Sequence, residues 1–162
     1  MNYLLKQQML LMVRALYFCM EDHWSDIGKK FNVSPAQQHV LFLLQANKQA
    51  LTPTEIGELG CWHSSTVTRL LKPLKEKGLI SVEINKSRPR YKQVSITSNG
   101  LVLFDKLLNI VKEEENFPFD MSHLSEEEVL NFLEYGQRIL DVHKGKDFRK
   151  VLSANVDNYG YA

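Results

Sequence analysis

The chain has 162 residues, 44% of them apolar, and its 20 Lys and Arg against 19 Asp and Glu leave a formal net charge of +1. That apolar share supports a core and excludes a wholly disordered chain, and the length fits one domain, or one domain with a tail or long arm. Charged residues cut every apolar run short of the roughly 18 residues of a membrane span, no signal-peptide cleavage pattern follows, and two distant cysteines, Cys19 and Cys61, suit a reducing compartment, so a cytoplasmic protein without a membrane partner is expected.

Residues 3–31 read as one long helix. Leu5, Met9, Met12, Leu16, Cys19 and Met20 recur at three- and four-residue spacing, and no proline interrupts. The stripe is broad, which calls for cover on more than one side. "SPAQ" at 34–37 opens a second helix: Ser34 as cap, Pro35 at the first position, Gln37 to close a capping box. "TPTE" at 52–55 repeats the signal for a short helix, for which Gly60 is the expected stop. "HSSTVTRLLKPLKEKGLI" at 63–80 then gives a helix with Val67, Leu70, Leu71 and Leu74 on its apolar stripe and Gly78 at its end. A short helix, a tight turn and a second helix with a polar outer face outline a helix-turn-helix.

The period next changes from helical to alternating. Ile80, Val82 and Ile84 alternate with Ser81 and Glu83, and Val94 and Ile96 with Gln93 and Ser95, around the turn-rich "NKSRPR". This predicts a β-hairpin with a cationic tip, and so a winged helix-turn-helix. "TSNG" opens a helix over 98–115 with Leu101, Phe104, Leu108 and Val111 on one face; "NFPFDMSHL" is a linker; Ser125 and Glu128 open a helix to about 143 carrying Val129, Phe132, Leu133, Ile139 and Leu140. The tail beyond 144 has room for a helical turn or two. The flanking helices are too far from the central unit to bury all their apolar faces on it, so a symmetric dimer is expected.

Charge is unevenly distributed. From 69 to 92 eight cations stand against two acids, a net of +6; from 113 to 134 eight acids stand alone, a net of −8. One end therefore suits a polyanion. On the helix after the turn, Ser64, Ser65, Thr68, Arg69 and Lys72 project away from the apolar stripe. Hydroxyls near a helix N-terminus reach base edges or phosphates, and the local N–H groups favour anions. Arg69 suits either a guanine edge or a phosphate, and both remain open. Pro73, inside this helix, removes the bond to the Arg69 carbonyl, at about 3 kcal/mol in a regular helix, and a bend in the C-terminal half is expected.

"STVTRLLKPLKEKGLI", the hairpin and "VSITSNG" together resemble the MarR (multiple antibiotic resistance regulator) family of winged-helix transcription factors. The element order resembles that family to about residue 143, the motifs over about 52–100. The resemblance implies a mainly α fold with a small β-hairpin. Residues 34–97 would form the winged helix-turn-helix core, 1–33 and 98–145 the long dimerisation helices, and 146–162 a tail, all in a single domain. It implies a homodimer on double-stranded DNA, with a recognition helix in the major groove of a pseudo-palindrome and a wing in the adjacent minor groove. Carried onto this chain, the recognition positions are Ser64, Ser65, Thr66, Thr68, Arg69 and Lys72, and the wing positions Lys86, Ser87, Arg88 and Arg90. Wings of the family commonly carry an Asp followed by two Arg. Here Arg88 stands at the Asp position and Pro89 at the first Arg, so the wing is more basic and lacks the usual brace.

Family members often bind a small aromatic or anionic effector between the dimer arm and the DNA-binding unit. Tyr17, His23, Trp24, His39 and Trp62 are the candidates for such a lining, beside the plainer reading that they are core and interface aromatics. Cys19 lies where oxidant-sensing relatives keep a reactive thiol, beside the plainer reading of a small buried hydrophobe. Cys61 and His63 lack further ligands at metal-site spacing, the acids at 113–115 read as helix-end surface, and no phosphate-binding loop, nucleophile elbow or paired catalytic acids occur. No cofactor, metal or enzymatic role is expected. The function expected is a DNA-binding transcriptional regulator, a repressor released by a small molecule or oxidant; the alternative is a winged-helix module that binds a partner protein.

Overall fold

The computed structural model describes residues 1–84 and 91–153. The described elements are α1 (Tyr3–Lys29), α2 (Pro35–Asn47), α3 (Pro53–Gly60), α4 (Ser64–Glu76), β1 (Ile80–Ile84), β2 (Lys92–Ile96), α5 (Ser98–Glu113), α6 (Glu126–Lys144), a 3₁₀ turn (Lys146–Phe148) and α7 (Arg149–Leu152). The architecture is mainly helical with one antiparallel hairpin, a winged helix-turn-helix flanked by long helices.

Local chemistry sets the helix starts. Ser34 and Gln37, Thr52 and Glu55, and Ser125 and Glu128 each form a reciprocal capping box, while Asn2 and Thr97 cap α1 and α5 with their side chains. Each such cap contributes about 1 kcal/mol. The stop of α3 differs from expectation. Gly60 is its last helical residue, and Cys61 takes the left-handed conformation at φ 59°. The reason is packing: Trp62 donates its N–H to the Gly57 carbonyl at 2.8 Å and lays its ring where a Cβ on Gly60 would lie.

Helix α2 is the centre. Val40 and Leu41 are fully buried within it, and α1, α3, α4, α5 and β2 pack around it. Ile56 of α3, Val67 and Leu74 of α4, Ile80, Val94 and Phe104 complete the core. In the hairpin Ile80 pairs with Ile96, Val82 with Val94 and Ile84 with Lys92. Only the half nearest the helices is covered, so Ile84 is exposed despite its place in the alternation. A third strand segment was not legible in the sequence: Leu51 bridges Val94 through N–H···O bonds of 3.0 and 2.8 Å.

The arms meet the core only at their roots. Along α1 just Ile27 and Gly28 are buried. A Cβ on Gly28 would overlap the Val33 carbonyl oxygen and the Gln38 amide, so glycine is what lets α1 and α2 close on each other. On α5 the buried face is Gly100, Phe104 and Leu107; Leu101, Leu108 and Val111 are only partly covered. Helix α6 buries no residue within the single chain, and Phe132, Leu133 and Ile139 are exposed. The tail forms its expected turns at Lys146–Phe148 and Arg149–Leu152. Among the described residues no helix is long and apolar enough to cross a membrane.

Candidate nucleic-acid interface

Helices α3 and α4 meet through the three-residue turn 61–63. Val67, Leu71 and Leu74 drive one face of α4 into the core. The same 3.6-residue period turns the opposite face outward. Ser64, Ser65, Thr68, Arg69 and Lys72 are all exposed there, whereas Thr66 is half-buried and so less available than the family resemblance implies. Thr68 donates its hydroxyl hydrogen back to the Ser64 carbonyl at 3.1 Å. His63 enters the helix in an extended conformation, and no side chain caps this N-terminus. Partial positive charge on the first N–H groups therefore lies beside the outward hydroxyls, an arrangement that suits phosphate or a base edge.

The helix runs on through Pro73 to Glu76. Its end is fastened: Gly78, at φ +69°, donates to the Lys75 carbonyl at 2.9 Å, and Leu79 to the Leu74 carbonyl at 3.0 Å. The Lys77 ammonium donates to the Asn32 carbonyl, which ties α4 to the turn between α1 and α2. Lys77 is thus a structural clamp, while Arg69, Lys72 and Lys75 stand exposed along α4 and Lys92 on β2. The expected wing residues Lys86, Ser87, Arg88 and Arg90 lie outside the described residues.

Four of the five aromatic candidates come together and one does not. Trp24 of α1 stands 5.9 Å from His39 of α2, which stands 5.2 Å from Trp62 in the turn before α4. His23 and Trp24 meet a residue the sequence reading missed, Phe117 of the linker, at 5.5 and 6.2 Å. The signal was a pair of aromatics, Phe117 and Phe119, flanking Pro118 in the linker. Tyr17 lies apart: its ring packs on Phe18 at 5.6 Å and its hydroxyl donates to Glu21 at 3.2 Å. Burial of His39 among these rings holds its pKa below the ordinary value. His23 Nε2 contacts the Glu114 carboxylate, so this acid, expected to be helix-end surface, instead links α1 to the end of α5.

A cleft of about 410 Å³ opens between α3, the turn and the start of α4, lined by Pro53, Gly57, Glu58, Trp62, His63 and Ser64, with Lys144 of α6 at its edge. Of the five candidates only Trp62 borders it. Cys19 is exposed in the single chain, not buried on the stripe, and Cys61 is exposed beside the cleft. Among the described residues no cluster of His, Cys, Asp or Glu could hold a metal ion.

This geometry matches known proteins. The MarR family matches residues 33–87, a stretch that holds α2, α3, α4 and β1. MepR of S. aureus, solved as a MepR–DNA complex, is 26% identical, with 82% of this chain and 95% of that one superposed at a TM-score of 0.73. In sequence over residues 33–87 and in fold over most of its length, the chain is similar to the MarR family.

E. coli MarR in its apo form shares the fold at a TM-score of 0.65, with 18% identity over 80% of this chain and 93% of that one. The HTH-type transcriptional regulator Hpr of Geobacillus thermodenitrificans is 28% identical over 117 residues, 72% of this chain and 58% of its own length. The chain therefore spans about three-fifths of that relative.

Proposed function

We propose that this chain is a MarR-family transcription regulator that binds double-stranded DNA sequence-specifically as a homodimer, and that it represses from a pseudo-palindromic operator. The observation that carries the reading is the α4 ridge: Ser64, Ser65, Thr68, Arg69 and Lys72 exposed on a helix locked to the core by Val67, Leu71 and Leu74. MepR, which resembles this chain over most of its length, was solved with DNA bound. In support of twofold pairing, α1 and α6 expose Leu10, Leu11, Phe132 and Leu133, an apolar surface that a second copy would cover. Two ridges held by paired arms would meet successive major-groove turns about 34–36 Å apart. The basic wing residues would add phosphate or minor-groove contacts.

The signal belongs to the same proposal. A small aromatic or anionic effector would enter beside His23, Trp24, His39 and Trp62, where the arm root and the turn before α4 share one aromatic cluster. An exposed thiol at Cys19 gives an oxidant a second route.

The test is selection of genomic fragments by the purified protein, followed by gel shifts of the enriched fragment and of random duplex across a salt series. Affinity is expected to fall steeply with salt and to favour the enriched fragment at every concentration. Equal affinity for both duplexes, with a protein partner retained in the absence of nucleic acid, would establish the interaction-module reading instead.

A further inference from the structure

We infer that Thr68 recognises the C5-methyl group of a thymine through its own methyl group, and that it donates no hydrogen bond to a base. This rests on the DNA-binding reading above and names what one position of that ridge reads. Thr68 sits on the exposed face of α4, one turn in from its start, with Ser64 one turn before it and Lys72 one turn after. Its Oγ1 donates to the Ser64 carbonyl oxygen at 3.1 Å. The only hydrogen the hydroxyl owns is thereby committed to the helix. The acceptors that guanine, adenine and thymine present in the major groove (O6, N7 and O4) gain nothing from it.

Three groups hang on the Thr68 Cβ besides the backbone: the oxygen, the methyl and a hydrogen. With the oxygen turned back along the helix onto Ser64, the methyl is the substantial group left for whatever meets this face. Thymine is the one base whose major-groove edge carries a methyl of its own, so apolar contact there selects T·A over the other pairs. The small side chain of Ser64 keeps the approach open from the N-terminal side, and Lys72 at the other side suits the backbone phosphate.

The experiment uses the full chain, the genomic fragment it selects, and copies of that fragment in which each thymine is replaced in turn by uracil, which removes only the methyl. Thr68→Val keeps the methyl and drops the hydroxyl; Thr68→Ser keeps the hydroxyl and drops the methyl. One thymine per half-site is expected to matter. There the wild type and Thr68→Val lose about fourfold in affinity on uracil substitution, the size of one buried methyl group, while Thr68→Ser binds both duplexes equally. Matching thermal melts of the three proteins show that the position is tolerated. A methyl-sensitive thymine that stays sensitive in Thr68→Ser, or a Val variant that loses the preference, overturns the inference. So does an enriched fragment with no methyl-sensitive thymine, and in that case DNA binding itself still stands. Failure to enrich any fragment removes the DNA-binding reading and this inference together.

Discussion

The imidazole of His39 meets the indole of Trp62 at 5.2 Å and 69°, edge to face, which couples the middle of α2 to the turn that starts α4. Burial lowers the pKa of His39 from 6.5, so the folded chain resists taking a proton that the unfolded chain accepts. Above pH 6.5 the imidazole is neutral in both states and the contact is intact. As pH falls below that value the unfolded state gains protons first, and stability falls until the folded pKa is reached. Melting temperature measured from pH 7.5 to 5 should therefore decline more steeply for the wild type than for His39→Gln. Parallel curves would show that His39 contributes nothing to acid sensitivity.

Arg69 and Lys72 occupy one ridge but are expected to do different work. Arg69→Ala should compress the ratio of operator to random-duplex affinity, because a base contact carries about 1–3 kcal/mol of discrimination. Lys72→Ala should weaken both duplexes alike and reduce the slope of log affinity against log salt by about 1. A filter-binding series at four salt concentrations separates the two behaviours.

Gly28 lies where α1 closes on the start of α2. Its would-be Cβ meets a backbone carbonyl and the amide of Gln38, which is itself held by the Trp24 carbonyl at 3.1 Å. Gly28→Ala should therefore cost about 1–3 kcal/mol by overpacking, although alanine is the better helix former. At about 2–4 °C per kcal/mol for a chain of this size, calorimetry should record a clear drop. A rise in melting temperature would mean that the junction yields easily.

The apolar arm gives the fourth expectation. Leu10→Lys in α1 and Leu133→Lys in α6 each place a charge on exposed apolar surface. Sedimentation should give twice 18.8 kDa for the wild type and a shift toward 18.8 kDa for each variant, with helical content unchanged at the core. Unaltered mass in both variants would locate the pairing surface elsewhere or remove it.

Helix starts were legible because they depend on residues three apart: Ser34 with Gln37, Thr52 with Glu55, Ser125 with Glu128. The outward ridge of α4 was legible for the same reason, since periodicity alone divides Val67, Leu71 and Leu74 from Ser64, Thr68 and Lys72. Contacts between distant segments were not. Nothing local marks Leu51 as a partner of Val94, Glu114 as a partner of His23, or Phe117 as a neighbour of Trp24. Gly60 misled for a related reason: glycine suggests a left-handed stop, but here it makes room for the Trp62 ring and leaves that backbone conformation to Cys61.

The Leu51–Val94 bridge stitches the connector between α2 and α3 to the base of the hairpin, while Thr97 donates its hydroxyl to the Gly78 carbonyl at 2.6 Å from the other side. Both ends of the described hairpin base are thus riveted to the body that carries α4, and the α4 ridge and the hairpin base travel together. In the proposed homodimer, a message arriving from the arms would have little freedom to reshape this block. What it can alter is the pitch and separation at which two such blocks are offered, so tuning would act like adjusting the jaw width of calipers and leave each jaw as it is.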